Sequence, residues 1–194
     1  MSARPRDIQL LSKTLAAMTR IITTVRKAMA TDADALSKIG SEAFSAAYAE
    51  FNTPADLSAH IHEHYSPGAI ERELGLPDRR YLLALAGDEP AGLCKLCEGP
   101  TPNDIPDAAA LEIQQLYIHP SHQRRGVGKV LVDAALDEAR SAGLMGVWLG
   151  VWEKADWAID FYLNCGFRNV GSHAFQLASS RQMDLLMWMP ATDD

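Results

Sequence analysis

Apolar residues recur along this chain with two periods, and the switches between them mark out the elements. Leu111-Glu112-Ile113-Gln114-Gln115-Leu116-Tyr117-Ile118 alternates as a strand and ends in the turn His119-Pro120-Ser121-His122. Val127, Val130, Leu131, Ala134 and Ala135 then fall at helical spacings. Upstream, Ile21 to Arg26 reads as an opening strand, and Thr31 and Asp32 as N-cap residues of a helix through Phe44 or beyond. Thr53-Pro54 starts a second helix running towards Tyr65, and a short third follows Pro67. Tyr81 to Ala86 and Ala91 to Cys97 flank the turn Gly87-Asp88-Glu89-Pro90, a hairpin. Downstream come a strand near Gly146 to Val151, a helix from about Lys154, and strands over Phe167 to Phe175 and Gln182 to Met189. No internal repeat is present, and this mixed order predicts an α/β sheet layered with helices.

At 194 residues, with 47% hydrophobic and 22% charged positions, the chain is sized for one domain with a substantial core. Residues 1–20 mix Arg4, Arg6, Lys13 and Arg20 with Leu10, Leu11, Leu15 and Met18 and read as an N-terminal extension to a domain over 21–190. They lack the apolar run of a secretory signal, and no apolar run reaches membrane-spanning length, so a cytoplasmic protein with no membrane partner is expected. A net charge of −7 argues against nucleic acid and leans towards cationic small molecules. Three cysteines give no disulfide framework. Cys94-Lys95-Leu96-Cys97 has redox or metal spacing, but residues three apart in a strand face opposite ways. His60, His62 and His64 lack a supporting carboxylate pattern, so no metal is expected.

The densest chemistry lies between the alternating strand and its helix, at Gln123-Arg124-Arg125-Gly126-Val127-Gly128-Lys129. A helix's first N–H groups have no intrahelical partner, and the dipole puts partial positive charge there. Glycines let a ligand approach those amides closely, and Arg124, Arg125 and Lys129 add full charges, which suits a diphosphate. The spacing fits neither an NTPase loop nor a dinucleotide fingerprint.

Gln-x-x-Gly-x-Gly after a strand resembles the acyl-CoA pyrophosphate loop of the GCN5-related N-acetyltransferase (GNAT) superfamily. A second segment agrees. Leu149-Gly150-Val151-Trp152-Glu153, followed by Ala158-Ile159-Asp160-Phe161-Tyr162-Leu163-Asn164-Cys165-Gly166-Phe167, is similar to that family's fifth strand, following helix and Phe-Tyr-x-x-x-Gly-Phe ending. The resemblance implies a mixed, mostly antiparallel central sheet flanked by helices, with the fourth and fifth strands splayed to admit acetyl-CoA. It implies that the backbone of Leu116, Tyr117 and Ile118 pairs with the pantetheine arm. Gln123, Arg124, Arg125, Gly126, Val127, Gly128 and Lys129 would hold the pyrophosphate. The acceptor amine would attack the thioester directly.

A primary amine with a pKa near ~10.4 is neutral in about one molecule in 2,500 at pH 7, and generating it costs about 4.6 kcal/mol. Glu112 is the candidate base, on the expectation that Glu112, Gln114, Leu116 and Ile118 share one strand face. Its bland alternative is a polar strand residue pairing with a neighbour. The resemblance gives Tyr162 the role of protonating the departing CoA thiolate; by its spacing alone it is equally a core aromatic. One departure is Ala155, where the family often carries an Asn that binds the pantetheine arm.

Phe51 to Leu57, Gly171-Ser172-His173-Ala174-Phe175 and Gln182-Met183-Asp184-Leu185 are similar to the bacterial spermidine/spermine (PaiA-type) branch, with Ala178 where that branch carries Gly. This implies a small cationic amine, probed by carboxylates such as Glu42, Glu50 and Asp56. A homodimer is compatible with the reading. The alternatives are a peptide or protein N-terminal acetyltransferase and a non-catalytic CoA-binding regulator.

Overall fold

The computed structural model describes residues 23–106, 109–177 and 180–191, with the side chains of 175–182 outside the description. The N-terminal extension and the position of Ala178 therefore lie outside the described residues. The elements run β1 (Thr23–Lys27), α1 (Ala33–Tyr48), α2 (Pro54–Tyr65), α3 (Pro67–Leu74), β2 (Arg79–Ala86), β3 (Glu89–Cys97) and β4 (Ala110–Ile118). They continue with α4 (Val127–Ser141), β5 (Gly146–Trp152), α5 (Asp156–Cys165), β6 (Arg168–Leu177) and β7 (Ser180–Pro190). Short 3₁₀ turns at Ala30–Asp32 and Pro120–His122 lead into α1 and the loop before α4.

Local rules explain most boundaries. Thr53 caps α2 by accepting a hydrogen bond from the Asp56 amide at 3.2 Å, and Pro54 occupies the first turn, where its missing N–H costs nothing. The two-residue turn Gly87-Asp88 joins β2 and β3 and uses φ of +65° at Gly87. In α1, Leu36, Ile39, Ala43 and Phe44 form the buried stripe.

The seven strands lie in the order β1-β2-β3-β4-β5-β7-β6. Every neighbouring pair is antiparallel except β4–β5. One face of the sheet, with Leu96, Leu111, Ile113, Val147 and Leu149, is buried under Val127, Leu131 and Ala135 of α4 and Tyr162 of α5. The other, with Tyr81, Leu83 and Leu93, is covered by Leu36, Ile39 and Ile70 of α1 and α3. The strands' buried faces thus serve two helical layers.

A β-bulge alters the central strand. Lys95 pairs with Gln115 but the next residue, Leu96, pairs with Ile113, so Gln114 is an extra residue in β4. Leu111 and Ile113 on one side of the bulge, and Leu116 and Ile118 on the other, all face α4 and α5. Glu112 and Tyr117 face the α1–α3 layer. Glu112, Gln114, Leu116 and Ile118 therefore do not share a face, because one inserted residue reverses the phase of the alternation.

Under α3 lies a buried charge cluster. Lys95, 3% exposed, places Nζ 2.5 Å from Glu73 Oε2 and 2.6 Å from Oε1, while Arg79 and the Tyr81 hydroxyl also donate to Glu73. Burial alone would raise the Glu73 carboxyl, but the hydrogen bonds from Lys95 and Tyr81 outweigh it and hold the pKa below its usual value. Its stabilisation is thus present above the unfolded pKa of about 4.3 and lost as pH falls through the lower folded value. Lys95→Met should cost about 2–4 kcal/mol at pH 7, because Glu73 keeps a half-buried charge with fewer donors. Urea denaturation at pH 7 checks this; an unchanged midpoint would show that the pair adds nothing over an apolar contact.

Candidate active site

The parallel pairing of β4 and β5 covers only Ala110, Leu111 and Glu112 against Gly146, Val147 and Trp148. Beyond that, β5 stays paired with β7 as far as Trp152–Asp184, and β4 stays paired with β3 as far as Ile118–Gly92. A cleft therefore opens between the two strands. Leu116, Tyr117 and Ile118 border it, with backbone groups on the β5 side that no strand satisfies among the described residues.

Beyond the open end of β4, the loop towards α4 is pinned on two sides. His119 Nε2 lies 2.8 Å from Glu42 Oε2 on α1, and His122 Nε2 lies 3.6 Å from Glu89 Oε2 on β3. Ser121 Oγ bridges the two rings, 2.6 Å from His119 Nδ1 and 2.8 Å from His122 Nδ1. Gln123 then donates to the Ile118 carbonyl at 3.3 Å. Arg124 (φ +58°) and Gly126 (φ +86°) are both left-handed, a turn that gathers successive N–H groups into an anion-accepting concavity at the start of α4. Arg124 and Arg125 are exposed, whereas Lys129 is held by Asp133 at 2.5 Å. Val127 is buried, its side chain turned into the core under α4.

The two glycines differ in purpose. A Cβ on Gly126 would meet nothing within 4 Å, so its role is the positive φ and an open approach. A Cβ on Gly128 would lie 2.9 Å from the Phe161 ring, so that glycine lets α4 and α5 approach each other. Phe161 and Phe167 in turn pack edge-on against Tyr162, with ring centroids 5.2 and 5.4 Å away.

Tyr162 is 9% exposed, and among the described residues its hydroxyl has no hydrogen-bond partner. Burial pushes its phenol well above the usual value, and the titratable groups of Cys94, Tyr117, Tyr48 and Cys165 add to the rise. The group therefore stays protonated. Glu112 lies elsewhere, on the α1–α3 face at the closed end of the cleft. Burial raises its carboxyl, and Lys95 and Arg79 oppose that rise. Among the described residues, Glu112 and Tyr162 share no direct hydrogen bond or charge interaction.

Residues 42–167 match the acetyltransferase (GNAT) family. This chain belongs to that family. The GNAT chain is 30% identical over 149 residues to an uncharacterized N-acetyltransferase of Lactobacillus delbrueckii subsp. lactis, covering 77% of this chain and 86% of that one. It is 31% identical over 121 residues to the N-alpha-acetyltransferase RimI of Mycobacterium tuberculosis, covering 60% and 72%. Its fold is shared with the PaiA N-acetyltransferase of Thermoplasma acidophilum, solved in complex with coenzyme A, at a TM-score of 0.69 and 21% identity over 87% and 99% of the two chains. The GNAT chain is thus an acetyl-CoA-dependent N-acetyltransferase, with the mixed sheet and parallel β4–β5 pair of that fold. Among its described residues, no helix is long and apolar enough to cross a membrane.

In this GNAT the position of the family's Asn, Ala155, is fully enclosed in the core beneath the start of α5. The acidic residues expected at the acceptor mouth divide. Glu42 is taken up by His119, Asp56 accepts from its own cap Thr53 at 2.7 Å, and Glu50 is exposed at the end of α1.

Asp184, to which the sequence assigned no role, is a half-buried carboxylate opposite His173 on β6 and Trp152 on β5. Its signal was a charge within the otherwise apolar run Met183 to Met189, where a lone buried carboxylate is unusual. Burial raises its pKa, with His173 opposing and Glu153 adding to the rise. A raised folded pKa means that ionisation costs stability, a cost absent below the unfolded pKa of about 3.9 and complete above the folded one. Asp184→Asn should therefore raise the melting temperature at pH 8 and change it little at pH 3. Equal shifts at both pH values would show that the carboxylate carries no ionisation penalty.

Proposed function

We propose that this enzyme acetylates a small, polyamine-like cation by direct attack of the neutral amine on the thioester, with Tyr162 as general acid. The observation that carries this reading is the protonated Tyr162 hydroxyl, buried beside the β4–β5 cleft with no protein partner among the described residues. Acetyl-CoA supplies the activated acetyl group. The open edge of Leu116, Tyr117 and Ile118 pairs with its pantetheine arm. The amides from Gln123 to Lys129, with Arg124 and Arg125, hold the pyrophosphate.

No thiol is poised to carry the acetyl group covalently. Burial raises Cys94 strongly, pushes Cys97 up to about 11 and raises Cys165. A thiol held protonated is a poor nucleophile. The amine must then attack unaided by a covalent step, and its proton must leave first. Glu112 is the candidate base; at the closed end of the cleft it would reach the amine only through intervening water, and burial moves its carboxyl towards the range that a general base needs. As the C–S bond breaks, Tyr162 delivers its proton to the sulfur. A phenol raised by burial is uphill of a thiol in water, but a thiolate formed in the same dry cleft is raised too.

The acidic balance of −7 and the half-buried Asp184 support a cationic acceptor. Similarity to a relative named N-alpha-acetyltransferase RimI favours a second reading, a peptide N-terminus as acceptor. Free-thiol release from acetyl-CoA, measured against spermidine, spermine, amino acids and N-terminal peptides, separates the two. Turnover of polyamines supports the first, and turnover of peptides alone overturns it.

Tyr162→Phe should lower kcat about 100-fold with little change in acetyl-CoA affinity, the scale of lost general acid catalysis. An unchanged kcat would remove Tyr162 from the mechanism. Gly126→Ala should weaken CoA binding about 10-fold by calorimetry, because an L side chain at φ +86° costs about 1–2 kcal/mol with no clash to blame. Unaltered binding would sink the assignment of the loop.

A further inference from the structure

The α1–α3 side of the sheet carries a group of residues that the transfer chemistry does not use. Asp184 on β7 stands directly opposite Trp152 of β5 and His173 of β6, so the three side chains project from one face. Gly150 lies two residues before Trp152 on that face. A Cβ there would sit 3.4 Å from Asp184 Oδ2 and 3.7 Å from His173 Nε2. The carboxylate and the imidazole therefore overhang a strand position that has no side chain, at the β5 margin of the cleft. Tyr48, at the end of α1, feels the charge of Asp184 and is also an electrostatic neighbour of Tyr162.

Aromatic rings extend this margin outwards. Phe51, in the α1–α2 connection, meets Trp152 edge-on with centroids 5.1 Å apart and stacks on Trp157 at 6.4 Å and 16°. Phe51 and Trp157 remain 53% and 51% exposed. Neighbouring carboxylates, Glu50, Glu153 and Asp156, are exposed as well. Half-exposed aromatic faces beside carboxylates repel anions and suit an alkyl chain carrying an ammonium, which the rings attract through their quadrupoles.

Such surroundings decide which nitrogen of the acceptor belongs here. A carboxylate and aromatic faces both stabilise the protonated amine, and a protonated amine cannot attack a thioester. The nitrogen held at this margin is therefore a spectator. We propose that Asp184, Phe51 and Trp152 bind a second, non-reacting ammonium of the acceptor and its connecting methylenes, so that the enzyme selects linear diamines and polyamines over monoamines. This rests on the small-amine reading given above and names the part of the acceptor that sets its specificity.

The test compares 1,3-diaminopropane with propylamine in the thiol-release assay, alongside calorimetric titration of each amine into the enzyme saturated with CoA. The expected result is a wild-type preference for the diamine of about 100-fold in kcat/KM. Asp184→Asn should raise the KM for the diamine about 10- to 100-fold, the scale of a lost charge-assisted hydrogen bond, and the KM for propylamine far less. Phe51→Leu, on an exposed connection, should raise the diamine KM about 5-fold, and Asp184→Glu should restore part of the loss. Equal use of the two amines by the wild-type enzyme, or a diamine preference that survives Asp184→Asn, would overturn the proposal. Diamine binding that depends on Asp184 without any thiol release would uphold it and overturn the assigned reaction. No binding and no release would overturn it.

Discussion

The structure turns on where the β4–β5 ladder stops. Two strands that run parallel for three residue pairs and then part leave β4 with a row of backbone donors and acceptors facing an opening. Neither strand is free to close it. β5 is tied along its whole length to β7, and β4 to β3. Unpaired backbone groups in a protein interior are costly unless a ligand or water satisfies them. In an acetyl-CoA-dependent enzyme that unsatisfied edge is where an amide-bearing arm can complete the sheet.

Everything nearby sets the ends of that opening. At the far end of β4, the contacts of His119 with Glu42 and of His122 with Glu89 fix the loop to α1 and β3, and Arg124 and Gly126 turn the chain through left-handed backbone into α4. On the α4–α5 side, the contact of Gly128 with Phe161 brings the two helices close, and Tyr162 packs between Phe161 and Phe167. That packing keeps the phenol dry and protonated. On the α1–α3 side, Asp184 is held half-buried at a cost in stability, the kind of local penalty that persists where function needs it.

Much of this was legible in the sequence because it depends on local spacing. Thr53-Pro54 announced α2, and Gln123 to Gly128 announced the turn and helix start of α4. The mostly antiparallel sheet followed from motifs met in the expected order. The bulge at Gln114 was not legible, since an inserted polar residue leaves an alternating strand still looking like one. Reversing the phase moved Glu112 to the opposite face from Leu116 and Ile118, which no periodicity count could detect. Gly128 was ambiguous for a related reason: a missing side chain looks the same whether a ligand or the Phe161 ring fills the space. Asp184, His173 and Trp152 come from three strands, and only the register brings them together.

Direct transfer within one ternary complex is the central claim, and initial velocities measured while acetyl-CoA and a turned-over amine are varied against each other test it most directly. Direct transfer gives double-reciprocal lines that intersect, because both substrates must occupy the cleft before the acetyl group moves. Parallel lines would contradict it, since they would require an acetylated enzyme formed before the amine binds.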